Sequence, residues 1–391
     1  MFDLGQIPST PAFVYDETRI LQTARLLAPL RARGLKFCYS IKALPLLPVL
    51  ELLAPQVDGF AVSSSFEAQL ASMVAGGDRH ITSPGLRAED IDIIGRHCSH
   101  VSFNSLNQFR RLHKRLPPGV SCGIRINPEL SFAADERFDP CRPYSKLGVG
   151  IPALLDAWRD DRELRDCIDG LHFHTVFAAT SFAPLRVTLD HLLERLQPML
   201  PAIRWINLGG GYLFDAADAL QELAELTDHL VRDYGIQPVF EPGKALVGAA
   251  GYLAASVIDR IDQWDKPVAV LDTGVNHHPE TFEYQRRPQP AWVEPASGMP
   301  VILAGCSCLA GDVFGEYRFA RVPEVGDRLA FRDVGAYSLI KANRFNGHDL
   351  PDVVSWDGQR LIVVKSFGFA DFRELWTADA SAASELSWTS G

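Results

Sequence analysis

The chain has 391 residues, more than one typical compact domain and enough for a large domain with a smaller one. Apolar residues make up 47% and charged residues 22%, which excludes a mostly disordered chain. Acids outnumber Lys and Arg by 48 to 38, and the resulting net charge of −10 argues against nucleic acid or an anionic membrane as the partner.

The start, MFDLGQIPST, lacks the basic and apolar regions of a secretory signal, so a cytoplasmic location is expected. TPAFVYD, from Thr10, reads as a strand. Eight short apolar runs follow: KFCYSI from Lys36, GFAVS from Gly59, HITS from His80, VSFN from Val101, CGIRIN from Cys122, LHFHT from Leu171, RWINLG from Arg204 and PVFE from Pro238. Most are rich in β-branched or aromatic residues and are bounded by Gly, Pro or Ser. Between them lie helical patterns. FEAQLASMVAGG is expected to end in a cap at Gly76 and Gly77. AEDIDIIGRH, SLNQFRRLHKR, LRVTLDHLLERL and ALQELAELTDHLVRDYG behave similarly. Eight strands alternating with helices predict a (β/α)8 TIM-like barrel, with an open doubly wound sheet as the alternative. The stretch from Asn127 to Gly170 is too long for one helix and is expected to join the active site.

After Gly251, LAASVIDRI, KPVAVLD, PVILAGC, DRLAFRDV and RLIVVKSF read as strands with little helix between them. They predict an all-β sandwich or barrel domain made discontinuous by the N-terminal strand. The barrel is placed at 30–252, and the β domain at 1–29 and 253–391. The Ser/Ala-rich end, TADASAASELSWTSG, is expected to fray. Seven scattered cysteines make a disulfide framework unlikely, and Cys306 and Cys308 are too close for a zinc knuckle; no metal is expected.

Several polar residues end barrel strands, where side chains enter the mouth. Lys42, in SIKA, can become a nucleophilic amine when desolvated, although a snorkelling surface lysine is the commoner case. Gly209, Gly210 and Gly211 can offer N–H groups to an anion, or form only a turn. Glu241, Gly243 and Lys244 add a carboxylate, a close approach and a cation. A carboxylate in a barrel mouth can hold a pyridinium nitrogen. His172 and His174 share a strand face, and a flat ring there can stack on a planar cofactor. Arg125 faces the interior or mouth, with Glu67 as its candidate partner.

These residues and the ordered motifs TPAFVYD, SIKA, AVSSSFEAQLA, GIRINPE, DPCRPYSKLGVG, GLHFHT, INLGGG, EPGKALV and GCSCLAGDVFGEY resemble fold-type III decarboxylases that use pyridoxal 5′-phosphate (PLP). Within that family the chain is most similar to carboxynorspermidine/carboxyspermidine decarboxylases. The resemblance implies that Lys42 carries PLP, His174 stacks on it and Glu241 pairs with its ring nitrogen. It implies that Gly209, Gly210, Gly211, Gly243, Lys244 and Tyr337 surround the phosphate, with Arg125 and Glu67 as inner supports. Cys308, in CLAGD, matches a cysteine contributed across a homodimer interface, where it or Lys42 protonates Cα. Asp312 closes that motif and would bind a substrate amine. The implied function is decarboxylation of an amino acid with an extended, amine-bearing side chain, with carboxynorspermidine or carboxyspermidine as the leading substrate and norspermidine or spermidine as product.

Departures from the family pattern fall near the substrate. Phe177 and Ala178 stand where a Cys-Glu pair is usual. Tyr212 replaces a histidine, and His277, His278 and Glu280 sit in an altered segment. Losing an acid removes a counter-charge for a cationic substrate. A different or modified amino acid is therefore the second reading, and an amino-acid racemase a more distant one.

Overall fold

The computed structural model describes residues 2–133, 135–216 and 220–377. It divides into two compact units, one running Thr18–Ala249, the other comprising the chain up to Glu17 and from Ala250 onward. The first strand, β1 (Ala12–Asp16), belongs to the second of these.

The apolar runs of the first two thirds form parallel strands, because residues apolar on both faces need cover on both. They are β2 (Lys36–Ser40), β3 (Gly59–Val62), β4 (Asp78–Ser83), β5 (His100–Phe103), β6 (Ser121–Asn127), the two-residue β7 (Val149–Gly150), β8 (Ile168–His172), β9 (Trp205–Asn207) and β10 (Gln237–Phe240). Pairing runs β2-β3-β4-β5-β6-β8-β9-β10 and returns to β2, so eight parallel strands close a barrel, with β7 as a spur on β6. The open-sheet alternative is thereby removed.

Helices follow the predicted periodicity. Gln221–Tyr234 buries Leu223, Leu226, Thr227 and Leu230, one stripe at helical spacing. The helix over FEAQLAS ends at Ser72, four residues before the expected glycine cap. Gly76 and Gly77 instead take φ of +78° and +74° and turn the chain into β4. The barrel unit already includes the helix Ala28–Ala32, ahead of the expected start at residue 30.

The barrel floor is filled by one large side chain. Trp205 enters at the start of β9, and its indole N–H donates to Ser121 Oγ at 2.7 Å. A Cβ on Gly170 would lie 1.9 Å from the Trp205 ring, and one on Gly123 2.5 Å. Those two positions on β8 and β6 are glycine because the indole occupies their space.

The second unit is a mixed nine-stranded sheet of β1, β11 (Gly251–Ile261), β12 (Val268–Leu271), β13 (Gln289–Pro290), β14 (Met299–Ala304), β15 (Val313–Phe319), β16 (Arg328–Arg332), β17 (Asp352–Trp356) and β18 (Leu361–Lys365). β1 pairs antiparallel with β11 and parallel with β17. Strands β13, β15 and β17 escaped the sequence pattern. Helices at Glu280–Tyr284, Ser338–Lys341 and Phe369–Trp376 break the expectation of little helix. The end expected to fray lies, from residue 378, outside the described residues. No helix among the described residues is long and apolar enough to cross a membrane.

Gly170→Ala is expected to destabilise the protein by about 1–3 kcal/mol through overpacking against Trp205. A thermal-denaturation midpoint equal to wild type would contradict that role for the indole.

Candidate active site

Lys42 sits in the turn Ile41–Ala43 that leaves β2, exposed on the wall of a cavity of about 590 Å³. Arg125, His172, His174, Phe177 and Glu241 line the same cavity. They come from the C-terminal ends of β6, β8 and β10, the end where barrels of this kind carry their chemistry. The excursion after β6 supplies another wall, including Arg137, Phe138, Asp139, Arg142 and Lys146.

Glu241 is held from behind. Asn207 Nδ2 donates to its Oε1 at 2.6 Å, and His172 Nε2 lies 4.0 Å from Oε2. Burial pushes the Glu241 carboxyl up, opposed by Lys42, Asn207 and Arg125. Asn207 also accepts the Gly209 N–H at 2.9 Å. Sequence reasoning passed over Asn207, although a polar residue on a buried strand just before a glycine run was the available signal.

His174 accepts the Gly210 N–H at Nδ1, 3.1 Å away. Burial first, then Lys42 and Arg125, push its pKa down to about 3, so the ring is neutral at physiological pH. His172 is shifted in the same direction, mainly by burial. The glycine run is dictated by crowding. A Cβ on Gly209, Gly210 or Gly211 would fall within 2.1–2.4 Å of the carbonyl oxygens of Phe173, Glu241 and Val176 respectively. Gly209 and Gly210 spend their N–H groups inside the protein, contrary to a cradle built from all three. Gly243 lies where a Cβ would be 3.3 Å from both Ser40 and Ala43, against the Lys42 turn. Lys244 opens the helix Lys244–Val247 and lies along Gly248.

Two expected placements in the barrel unit differ. Glu67 does not meet Arg125, since no ion pair among the described residues joins them. Its carboxylate accepts the Ser63 N–H at 2.6 Å while its own N–H caps on Ser64 Oγ at 3.1 Å, and burial raises its pKa. Glu241 is the acid whose charge acts on Arg125, a residue 8% exposed. Tyr212 does not line the cavity. Its ring stacks on Phe182 at 4.8 Å and is 2% exposed. Phe177 does reach the cavity and stacks on Phe138 at 5.1 Å.

The remaining candidates belong to the sheet unit. Cys308 is exposed, and its N–H donates to Asn346 Oδ1 at 2.9 Å. Asp312 is 3% exposed: Val275 N–H donates to Oδ1 at 2.7 Å, and Ser307 N–H and Oγ–H donate to Oδ2 at 3.0 and 2.5 Å. It ties two loops together, Val275 on one and Ser307 on the other. His277 and His278 are buried, with Nδ1 atoms 3.0 Å from Thr273 Oγ1 and Thr281 Oγ1. Glu280 starts the helix Glu280–Tyr284. Tyr337 caps the helix Ser338–Lys341 in a left-handed conformation, φ +66°, uncommon for a bulky residue.

The family profile described as "pyridoxal-dependent decarboxylase, C-terminal sheet domain" matches residues 12–335. The chain is 30% identical to a carboxynorspermidine/carboxyspermidine decarboxylase of Herminiimonas arsenicoxydans, over 93% of this chain and 98% of that protein. It is 32% identical to a carboxyaminopropylagmatine decarboxylase of Synechocystis, over 95% and 96%. The crystal structure of carboxynorspermidine decarboxylase from Campylobacter jejuni, complexed with norspermidine, superposes with a TM-score of 0.85 at 27% identity, covering 94% of this chain and all of that one.

The buried histidines set an acid limit. Unfolded, each takes up a proton near its ordinary pKa of about 6.5. Folded, His172 and His174 stay neutral to much lower pH. Their contribution to stability is therefore complete above about pH 6.5 and falls as pH drops, by at most about 1.4 kcal/mol per pH unit for each ring. Denaturant midpoints should decline from pH 7 to pH 5, and His172→Gln should flatten that decline.

Proposed function

The chain belongs to the pyridoxal-dependent decarboxylases, and we propose that it removes the α-carboxylate of carboxynorspermidine or carboxyspermidine, giving norspermidine or spermidine. Its cofactor is PLP. The observation that carries the proposal is that Lys42, His174 and Glu241, from three different strand ends, line one cavity. That set fits the cofactor: an amine, a flat neutral ring and a buried carboxylate. When bound, PLP supplies a sink for the electron pair released as the Cα–carboxylate bond breaks.

The chain's own residues then divide the work. Lys42 would hold the cofactor through its Nζ. His174 would stack on the ring, and its neutrality avoids placing a second cation there. Glu241, oriented by Asn207, would pair with the ring nitrogen. The glycine loop, Gly243, Lys244 and Tyr337 are assigned to the phosphate, with Gly211 offering the N–H that the other two glycines do not. Arg125 supports the cofactor from the side of Glu241, whose charge it offsets. Cys308 delivers a proton to Cα.

The reading includes a homodimer, in which Cys308 of one copy serves the cavity of the other. Its support is that Cys308 is exposed beside Leu309 and near Phe345, apolar side chains 42% and 47% exposed. All seven cysteines are free, which supports a reducing, cytoplasmic setting. A second substrate is favoured by the Synechocystis relative, named for carboxyaminopropylagmatine at comparable identity.

Mass spectrometry of products from carboxynorspermidine, carboxyspermidine and carboxyaminopropylagmatine tests the substrate. Decarboxylated triamine is expected; turnover of the guanidino compound alone would replace the first reading by the second. Lys42→Ala should abolish both turnover and the visible absorption of bound PLP. Cys308→Ala should slow turnover by about 10²-fold or more while PLP stays bound. Mixing those two variants should restore part of the activity, and no recovery despite demonstrated subunit exchange would remove the shared site.

A further inference from the structure

At the end of the barrel away from Lys42, one cluster carries the donors of a metal site. Asp78 and His80 lie at the start of β4, and His100 at the start of β5, opposite His80 in register. The two rings stack at 3.9 Å and 9°. One donor atom from each of the three residues lies within 4.8 Å of the others. Sequence spacing does not reveal this set, because the residues meet only across adjacent parallel strands.

His80 is the feature that calls for an explanation. It is 3% exposed, and neither ring nitrogen has a hydrogen-bond partner. Buried polar atoms are rarely left so, and each exception points to a missing partner. His100 Nδ1 is engaged by Ser99 Oγ at 2.8 Å, the kind of outer contact that fixes a ligating ring and leaves Nε2 for the ion. Asp78 is balanced by Lys36 Nζ at 2.7 Å. The Lys36 side chain is 41% exposed, so it can yield its place and turn to solvent.

We propose that Asp78, His80 and His100 bind one divalent transition-metal ion of the zinc class, which displaces the Lys36 ammonium from Asp78. Two imidazoles and a carboxylate suit such an ion, whereas calcium and magnesium favour oxygen donors alone. Bonds of about 2.1 Å put tetrahedral donors about 3.4 Å apart, so binding draws the donors inward by up to about 1.4 Å and turns the stacked rings out of parallel, because the ion must lie near both ring planes. Water fills the fourth position. The ion ties β4 to β5 at the barrel end that governs stability, beside Trp205, whose ring stands edge-on to both histidines at 5.6 and 5.4 Å.

The test titrates the full-length, PLP-loaded protein with Co²⁺, read by calorimetry and visible absorption. One ion per chain is expected, with ligand-field bands of a nitrogen/oxygen site and no thiolate charge-transfer band. His100→Gln and Asp78→Asn alter partly exposed positions outside the cavity, and retained PLP absorption reports that each is folded. Each should weaken Co²⁺ binding by at least about tenfold. Absence of stoichiometric binding by wild type, unchanged affinity in both variants, or a thiolate band placing the ion on cysteine would each overturn the proposal.

Discussion

Everything at the barrel mouth depends on one short seam. The last barrel strand meets the first through the pairs Val239–Lys36 and Phe240–Phe37, and the Ser40 N–H extends the ladder to the Pro242 carbonyl at 2.9 Å. Without that closure the strand carrying Glu241 would be an edge, exposed to foreign pairing. With it, Lys42 and Glu241, 199 positions apart in sequence, leave neighbouring strands into one cavity. The approach is close enough that a Cβ at residue 243 would stand 3.3 Å from Ser40 and Ala43, a tight contact.

The seam also sets the electrostatics. A buried carboxylate pays for lost hydration unless charges and donors stand around it. For Glu241 these are Lys42, Asn207 and Arg125. The same cations discourage protonation of His172 and His174. One group of positive charges thus keeps an acid in use and two imidazoles neutral. No member can be altered alone: removing Asn207 would leave Glu241 short of a donor and the Gly209 N–H without an acceptor.

What the sequence disclosed follows the range of each interaction. Eight strands were legible because burial on both faces writes itself into continuous apolar runs. Lys42, His174 and Glu241 were legible because position at a strand end is a one-dimensional property. Pairings between elements were not. Arg125 and Glu67 looked complementary as charges, yet the helix start Ser64–Glu67 claims the glutamate locally. Asp312 sits in a motif that resemblance linked to substrate, yet three donors from two loops surround it. Tyr212 and Phe177 are both large aromatics beyond strand ends, and only packing separates the ring buried on Phe182 from the ring facing the cavity. β15 was hidden by Gly315, whose φ of +126° interrupts an otherwise ordinary strand pattern.

The charge of the cavity wall bears on what the barrel unit can recognise. Lys42, Arg125, Arg137, Arg142 and Lys146 line it against Asp139 and Glu241. Neither acid is idle: Asp139 accepts from Ser131 Oγ and from the Cys141 N–H, and Glu241 from Asn207. Such a wall attracts anions, suiting a carboxylate and a phosphate monoester. It offers a polyamine tail little counter-charge. The π faces of Phe138, Tyr144 and Phe177 on its wall can hold a cation, and Arg137 already stands 5.3 Å over Phe138. Anchoring of the reacting end and selection of the amine end are therefore separate problems in this protein. The barrel unit is equipped for the first, so a change of substrate along the amine tail need not disturb the residues gathered at its mouth.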